Sequence, residues 1–165
     1  MDILKLSTEW AKAEVFSAKI VWIFSIIEIL AAVGFFYFGK TGMAKAFFWP
    51  LLIMGLFLVA VGAGLYFTNN PRVEQFEKQY QNDSATFVQS EIQRTTKSKG
   101  EMVNVLRILP AIILVMAIML LLMSAPIWRA IAVSIAINAA FLMIVDSNTE
   151  ARNNSYNSQL ITSTK

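Results

Sequence analysis

Residues 20–38 read IVWIFSIIEILAAVGFFYF, from Ile20 to Phe38, an apolar run interrupted by one charged residue, Glu28. A helix rises 1.5 Å per residue, so roughly 20 such residues cross a hydrocarbon slab about 30 Å thick while satisfying every backbone polar group internally. Runs of the same character follow at 47–67, 106–123 and 127–145. The expected fold is all-α: an integral membrane four-helix bundle built of two transmembrane hairpins, with the lipid bilayer as its first partner.

Composition narrows the rest. With 165 residues, 56% of them hydrophobic, and a mean hydropathy of +0.56, the chain supplies one membrane domain over 1–165 and a modest polar appendage. The sequence contains neither cysteine nor histidine, which removes thiol nucleophiles, disulfides, ordinary zinc sites and imidazole acid/base chemistry together. No metal or cofactor is expected. The acidic residues Glu74, Glu77, Asp83, Glu91 and Glu101 are interleaved with Arg72, Lys78 and Arg94 and read as a solvated helix surface, so the chain is expected not to be an enzyme. A net charge of +3 is too small to suggest a nucleic-acid partner.

Basic residues are sorted by side. An even number of spans places the N-terminus, segment 68–105 and the C-terminus together, and that side holds all of the Lys and Arg except Lys40, Lys45 and Arg129. The positive-inside rule puts it in the cytoplasm. About 19 mostly polar residues precede the first run without a small-x-small cleavage pattern, so the first helix is expected to be retained. The size suggests a bacterial inner membrane.

The polar segments carry their own periodicity. In 1–19, Ile3, Leu6, Trp10, Ala13 and Ser17 share one helical stripe and Asp2, Lys5, Glu9, Lys12 and Lys19 another, which predicts an amphipathic helix lying along the headgroups. Gly39 to Gly42 and Ser124-Ala125-Pro126 predict the two tight turns. Asn69-Asn70-Pro71 predicts a capped helix start, and Asn82-Asp83-Ser84 a break that makes 68–105 two short cytoplasmic helices or one broken one. Their apolar stripes, Val73, Phe76 and Tyr80, then Phe87, Val88 and Ile92, are too thin for a core. They must pack on the N-terminal helix, on the tail 146–165, or on another subunit. The tail itself reads as helical first and frayed at its end.

Candidate site residues are few. Glu28 lies about 12 Å into span one and Asn138 about 10 Å into span four from the same side, so a Glu28 to Asn138 hydrogen bond is expected, either as interhelical glue or as an ion site. Trp10, Trp22, Trp49, Trp128 and Arg129 are positioned as interface anchors, and Lys19, Arg107 and Asp146 as a charge ring at the cytoplasmic boundary. Gly55, Gly62, the Ala60/Gly64 pair, Ala132, Ala136 and Ala140 stand at close-packing spacings.

The first-span segment Trp22 to Lys40, with Glu28 inside it, superficially resembles that of the small multidrug resistance transporters, whose four short spans carry a functional carboxylate in the first. Segment 68–105 departs from that family's compact form and no later motif matches, so no site residue is carried over. Two functions are expected from the residues: an oligomeric scaffold or accessory protein working with copies of itself or another membrane protein, or a small oligomeric ion channel or proton-coupled transporter built on Glu28. The orientation is testable without removing native thiols. Thr41→Cys should react with an impermeant maleimide only from outside the cell and Ser90→Cys only from the cytoplasm, and the reverse pattern would invert the topology.

Overall fold

The computed structural model describes residues 2–163, and among these the regular structure is entirely helical. The helices are α1 (Ile3–Phe38), α2 (Gly42–Ala46), α3 (Phe48–Asn69), α4 (Arg72–Asn82), α5 (Ser84–Leu122) and α6 (Pro126–Ser163). Four stretches, Ile3–Phe38, Gly42–Asn82, Ser84–Leu122 and Pro126–Ser163, are long and apolar enough to cross a membrane. They run up, down, up and down as four rods of 36, 41, 39 and 38 residues, about 54–62 Å each and so about twice the thickness of a hydrocarbon core. One half of every rod is apolar and the other half polar.

Local chemistry sets the ends. Asp2 caps α1 by accepting from the Lys5 amide at 3.1 Å, and Thr41 caps α2 by accepting from the Ala44 amide at 3.1 Å. Asp83 sits in extended backbone and accepts from the Ala85 and Thr86 amides at 3.0 and 3.1 Å, turning the chain from α4 into α5. The Thr86 hydroxyl and these amides hold the Asp83 carboxyl below its ordinary value, so the cap stays ionised.

Several polar-half expectations are corrected. Residues 3–19 form no separate surface helix: α1 is continuous, and its buried residues Ser7, Trp10, Ala11, Glu14, Ser17 and Ala18 face other helices. Asn69 and Asn70 do not cap a new helix. Asn70 and Pro71 form a turn with α-region backbone, and the Asn69 side-chain amide donates back to the Leu65 carbonyl at 2.9 Å, so α3 passes into α4 through a short turn at Pro71. The tail is helical through Ser163, and the second polar helix continues without interruption as α5, Pro110 included.

In the polar half, α1, α4, α5 and α6 surround one core of Trp10, Ala11, Phe76, Phe87, Val88, Tyr156 and Leu160. Phe76 and Phe87 meet edge to face at 5.4 Å, and Trp10 stacks on Tyr156 at 5.5 Å. The thin stripes are therefore covered within the chain. In the apolar half the core is Val21, Leu58 and Val145, from α1, α3 and α6. There α5 has no close backbone approach to α1 or α3, and of its apolar half only Leu109 is buried.

Close approach of α1 and α3 depends on two glycines. A Cβ on Gly55 would lie 2.7 Å from Ile29 Cγ1 and 3.2 Å from the Ser25 carbonyl, and one on Gly62 would lie 2.6 Å from Trp22 Cδ1. Gly64 has open space. Gly55→Val should lower unfolding free energy in mixed micelles by about 1–3 kcal/mol through overpacking, whereas Gly64→Ala should leave it unchanged or slightly raised. Equal effects would remove the close-packed α1–α3 contact.

Candidate functional site

The buried face of α1 repeats every seven residues: Ser7, Ala11, Glu14, Ala18, Val21, Ser25, Glu28 and Ala32. Both buried carboxyl groups of α1, Glu14 and Glu28, lie on this face, two heptads apart. On α6 their partners, Arg152 and Asn138, are also two heptads apart. One antiparallel register thus makes both contacts.

At the upper level, Asn138 Nδ2 donates to Glu28 Oε1 at 2.6 Å and to the Ser134 carbonyl at 2.9 Å. Glu28 is 4% exposed and Asn138 1%. Glu28 Oε2, Asn138 Oδ1 and Ser134 Oγ are buried with no hydrogen-bond partner among the described residues. Below them, Phe24 and Phe141 stack at 3.9 Å beside the Val21, Leu58 and Val145 layer.

At the lower level, the Arg152 guanidinium donates to Glu14 Oε1 at 3.0 and 3.2 Å, to Ser17 Oγ at 2.7 Å and to Thr149 Oγ1 at 3.0 Å. A second network lies deeper in the polar half. Arg94 forks onto Glu91 with bonds of 2.8 and 2.7 Å, and its guanidinium lies 4.1 Å from the Trp10 ring centroid. Tyr156 donates to Glu91 Oε2 at 2.9 Å and lies 2.8 Å from Ser7 Oγ. Burial, and next the Glu91 carboxylate, push the Tyr156 phenol above its ordinary value, keeping its proton available for that bond. Asn153 donates to the Thr95 carbonyl at 3.0 Å and Asn157 to Thr95 Oγ1 at 2.6 Å, tying α5 to α6.

These positions revise the sequence reading. Trp10 is not an interface anchor: it is 8% exposed inside the polar core, where Tyr156 and Arg94 cover it. Trp22 turns its indole Nε1 to the Val59 carbonyl at 3.2 Å and packs on Gly62, so it joins α1 to α3. Trp49, Trp128 and Arg129 are exposed at the apolar end. Lys19, Arg107 and Asp146 form no ion pair with one another among the described residues, and the charge that bears on Asp146 is that of Glu14. Ala60 and Gly64 face outward, away from the α1–α3 contact. Glu91 is not a solvated surface residue but is buried and paired. Sequence reasoning missed the Glu14–Arg152 and Glu91–Tyr156 contacts; the seven-residue spacing from Ser7 to Ala32 was the available signal.

No protein-family model, curated protein or solved structure matches the chain.

The lower pair admits a direct energetic test. Arg152→Met strands a buried carboxylate and should cost about 3 kcal/mol. Glu14→Leu leaves a cation that can still reach solvent and should cost less, and the double variant should be more stable than Arg152→Met alone. Additive losses in a double-mutant cycle would show that the pair is not coupled.

Proposed function

We propose that this is a non-enzymatic, multi-pass membrane protein that works by assembling within the bilayer, as an oligomeric scaffold or as an accessory subunit of another membrane protein, with both termini cytoplasmic. The observation that carries this reading is the position of α5. Its apolar half leans on α6 alone and leaves Ile108, Leu114, Val115 and Ile118 exposed, while the apolar stripes of α4 and of the polar half of α5 pack within the chain. The surface free for a partner is therefore in the lipid-facing half, where association depends on side-chain packing and not on hydrophobic exclusion of water. The ion pairs of the polar half support a rigid, internally closed base for that surface.

A second reading, a small oligomeric ion channel or ion-coupled transporter, is favoured by the three buried oxygens around Glu28 that lack a partner. An intramembrane carboxyl group that finds no cationic side chain must hold a proton, a cation or water.

Single cysteines separate the two. Leu114→Cys or Ile118→Cys should cross-link to a neighbouring copy or partner in native membranes more efficiently than Ile53→Cys or Leu56→Cys on the outer face of α3, and equal, background yields at all four would contradict assembly through α5. Glu28→Gln should leave those cross-links intact under the first reading and abolish ion flux in proteoliposomes under the second.

A further inference from the structure

The oxygen inventory around Glu28 does not close. Asn138 spends its amide hydrogens on Glu28 Oε1 and the Ser134 carbonyl, and has no donor left for Glu28 Oε2. Three oxygens remain, a carboxylate Oε2, an amide Oδ1 and a hydroxyl Oγ, from Glu28, Asn138 and Ser134, all on side chains at least nine-tenths buried. Ser25 adds a fourth oxygen on the same face as Glu28: its hydroxyl donates to the Trp22 carbonyl at 2.7 Å and keeps lone pairs free. Among the described residues every ion pair lies in the polar half, at Glu91–Arg94, Lys97–Glu101 and Glu14–Arg152, so no basic side chain neutralises Glu28.

We infer that Glu28, Asn138 and Ser134 bind one desolvated sodium ion between α1 and α6. The donors are all hard oxygens, which suit an alkali cation and not a transition metal. One carboxylate balances one positive charge, whereas a divalent ion would bring a net charge into an apolar surrounding. A proton on Oε2, donated to Asn138 Oδ1, is the competing occupant, and infrared difference spectra separate it from a cation. The Val21, Leu58 and Val145 layer and the Phe24–Phe141 stack close the site toward the polar half. This inference rests on the Glu28 reading and names its ion, but binding is an equilibrium property that stands or falls without flux.

The full-length protein in phosphatidylcholine/phosphatidylglycerol nanodiscs, heated in sodium chloride or in N-methylglucamine chloride of equal ionic strength, supplies the test. At about 100 mM sodium and an excess over Kd of about a hundredfold, the apparent Tm should rise by about 5 °C or more. Potassium should give a smaller shift. Ser134→Ala, which keeps Glu28 in place, should weaken the sodium dependence about tenfold, and Glu28→Gln should abolish it. Should Glu28→Gln fail to fold, the Ser134→Ala titration alone decides. Identical wild-type melting in both salts, or an unchanged sodium dependence in Ser134→Ala, would overturn the site. A protonated carboxyl band at saturating sodium, present in wild type and missing from Glu28→Gln in infrared difference spectra, would overturn it in favour of a proton. Sodium binding without sodium-dependent flux in proteoliposomes would confirm the site and end the transport reading; flux without sodium binding would overturn the site alone.

Discussion

The seam between α1 and α6 governs this molecule. Two polar contacts, Glu28–Asn138 and Glu14–Arg152, fix the register of α1 against α6 at two heights along the buried face that runs from Ser7 to Ala32. A slip of one turn would separate both pairs and leave two carboxyl groups buried without partners, each at a cost of several kcal/mol. The two halves of the bundle therefore share one register: α1 cannot move in the apolar half without disturbing Trp10, Glu14 and Ser7 in the polar half.

The halves solve different problems with the same four rods. In the polar half, water drives burial, and aromatic residues from all four rods gather into a core with Arg94 and Glu91 folded into it. In a bilayer, for which the four helices are long and apolar enough, the apolar half would meet no such drive, because hydrocarbon solvates leucine as well as another helix does. Only backbones that approach closely, or polar groups that would otherwise lack partners, hold there. This accounts for the close pairing of α1 with α3 at Gly55 and Gly62 and for the Glu28–Asn138 bridge from α1 to α6, whereas the apolar half of α5 packs along α6 alone and reaches neither α1 nor α3. It also makes α5 the element left for assembly in the proposed function.

The rods were legible in the sequence because their ends carry strong signals: the apolar runs themselves, Gly39 to Thr41, Pro126, and the Asn82-Asp83-Ser84 break. Counting depth from one side put Glu28 level with Asn138, and their side chains meet. What the sequence hid follows from the same physics. A helical stripe chosen for hydrophobicity selected Ile3, Leu6 and Ala13, whereas the buried seam of α1 includes Ser7 and Glu14, because polar side chains can be interior when α5 and α6 supply partners. Glu91 read as solvated for that reason, and Trp10 and Trp22 read as anchors because an indole near a span end satisfies the interface and a helix contact equally well in sequence.

Hydrogen exchange in bilayers, comparing wild type with Asn138→Leu, tests the shared register most directly. If one α1–α6 seam couples the halves, loss of the contact to Glu28 should speed amide exchange in residues 7–18 and 149–160 as well as beside the substitution. Acceleration confined to the neighbourhood of residue 138, with the polar half exchanging as in wild type, would contradict it.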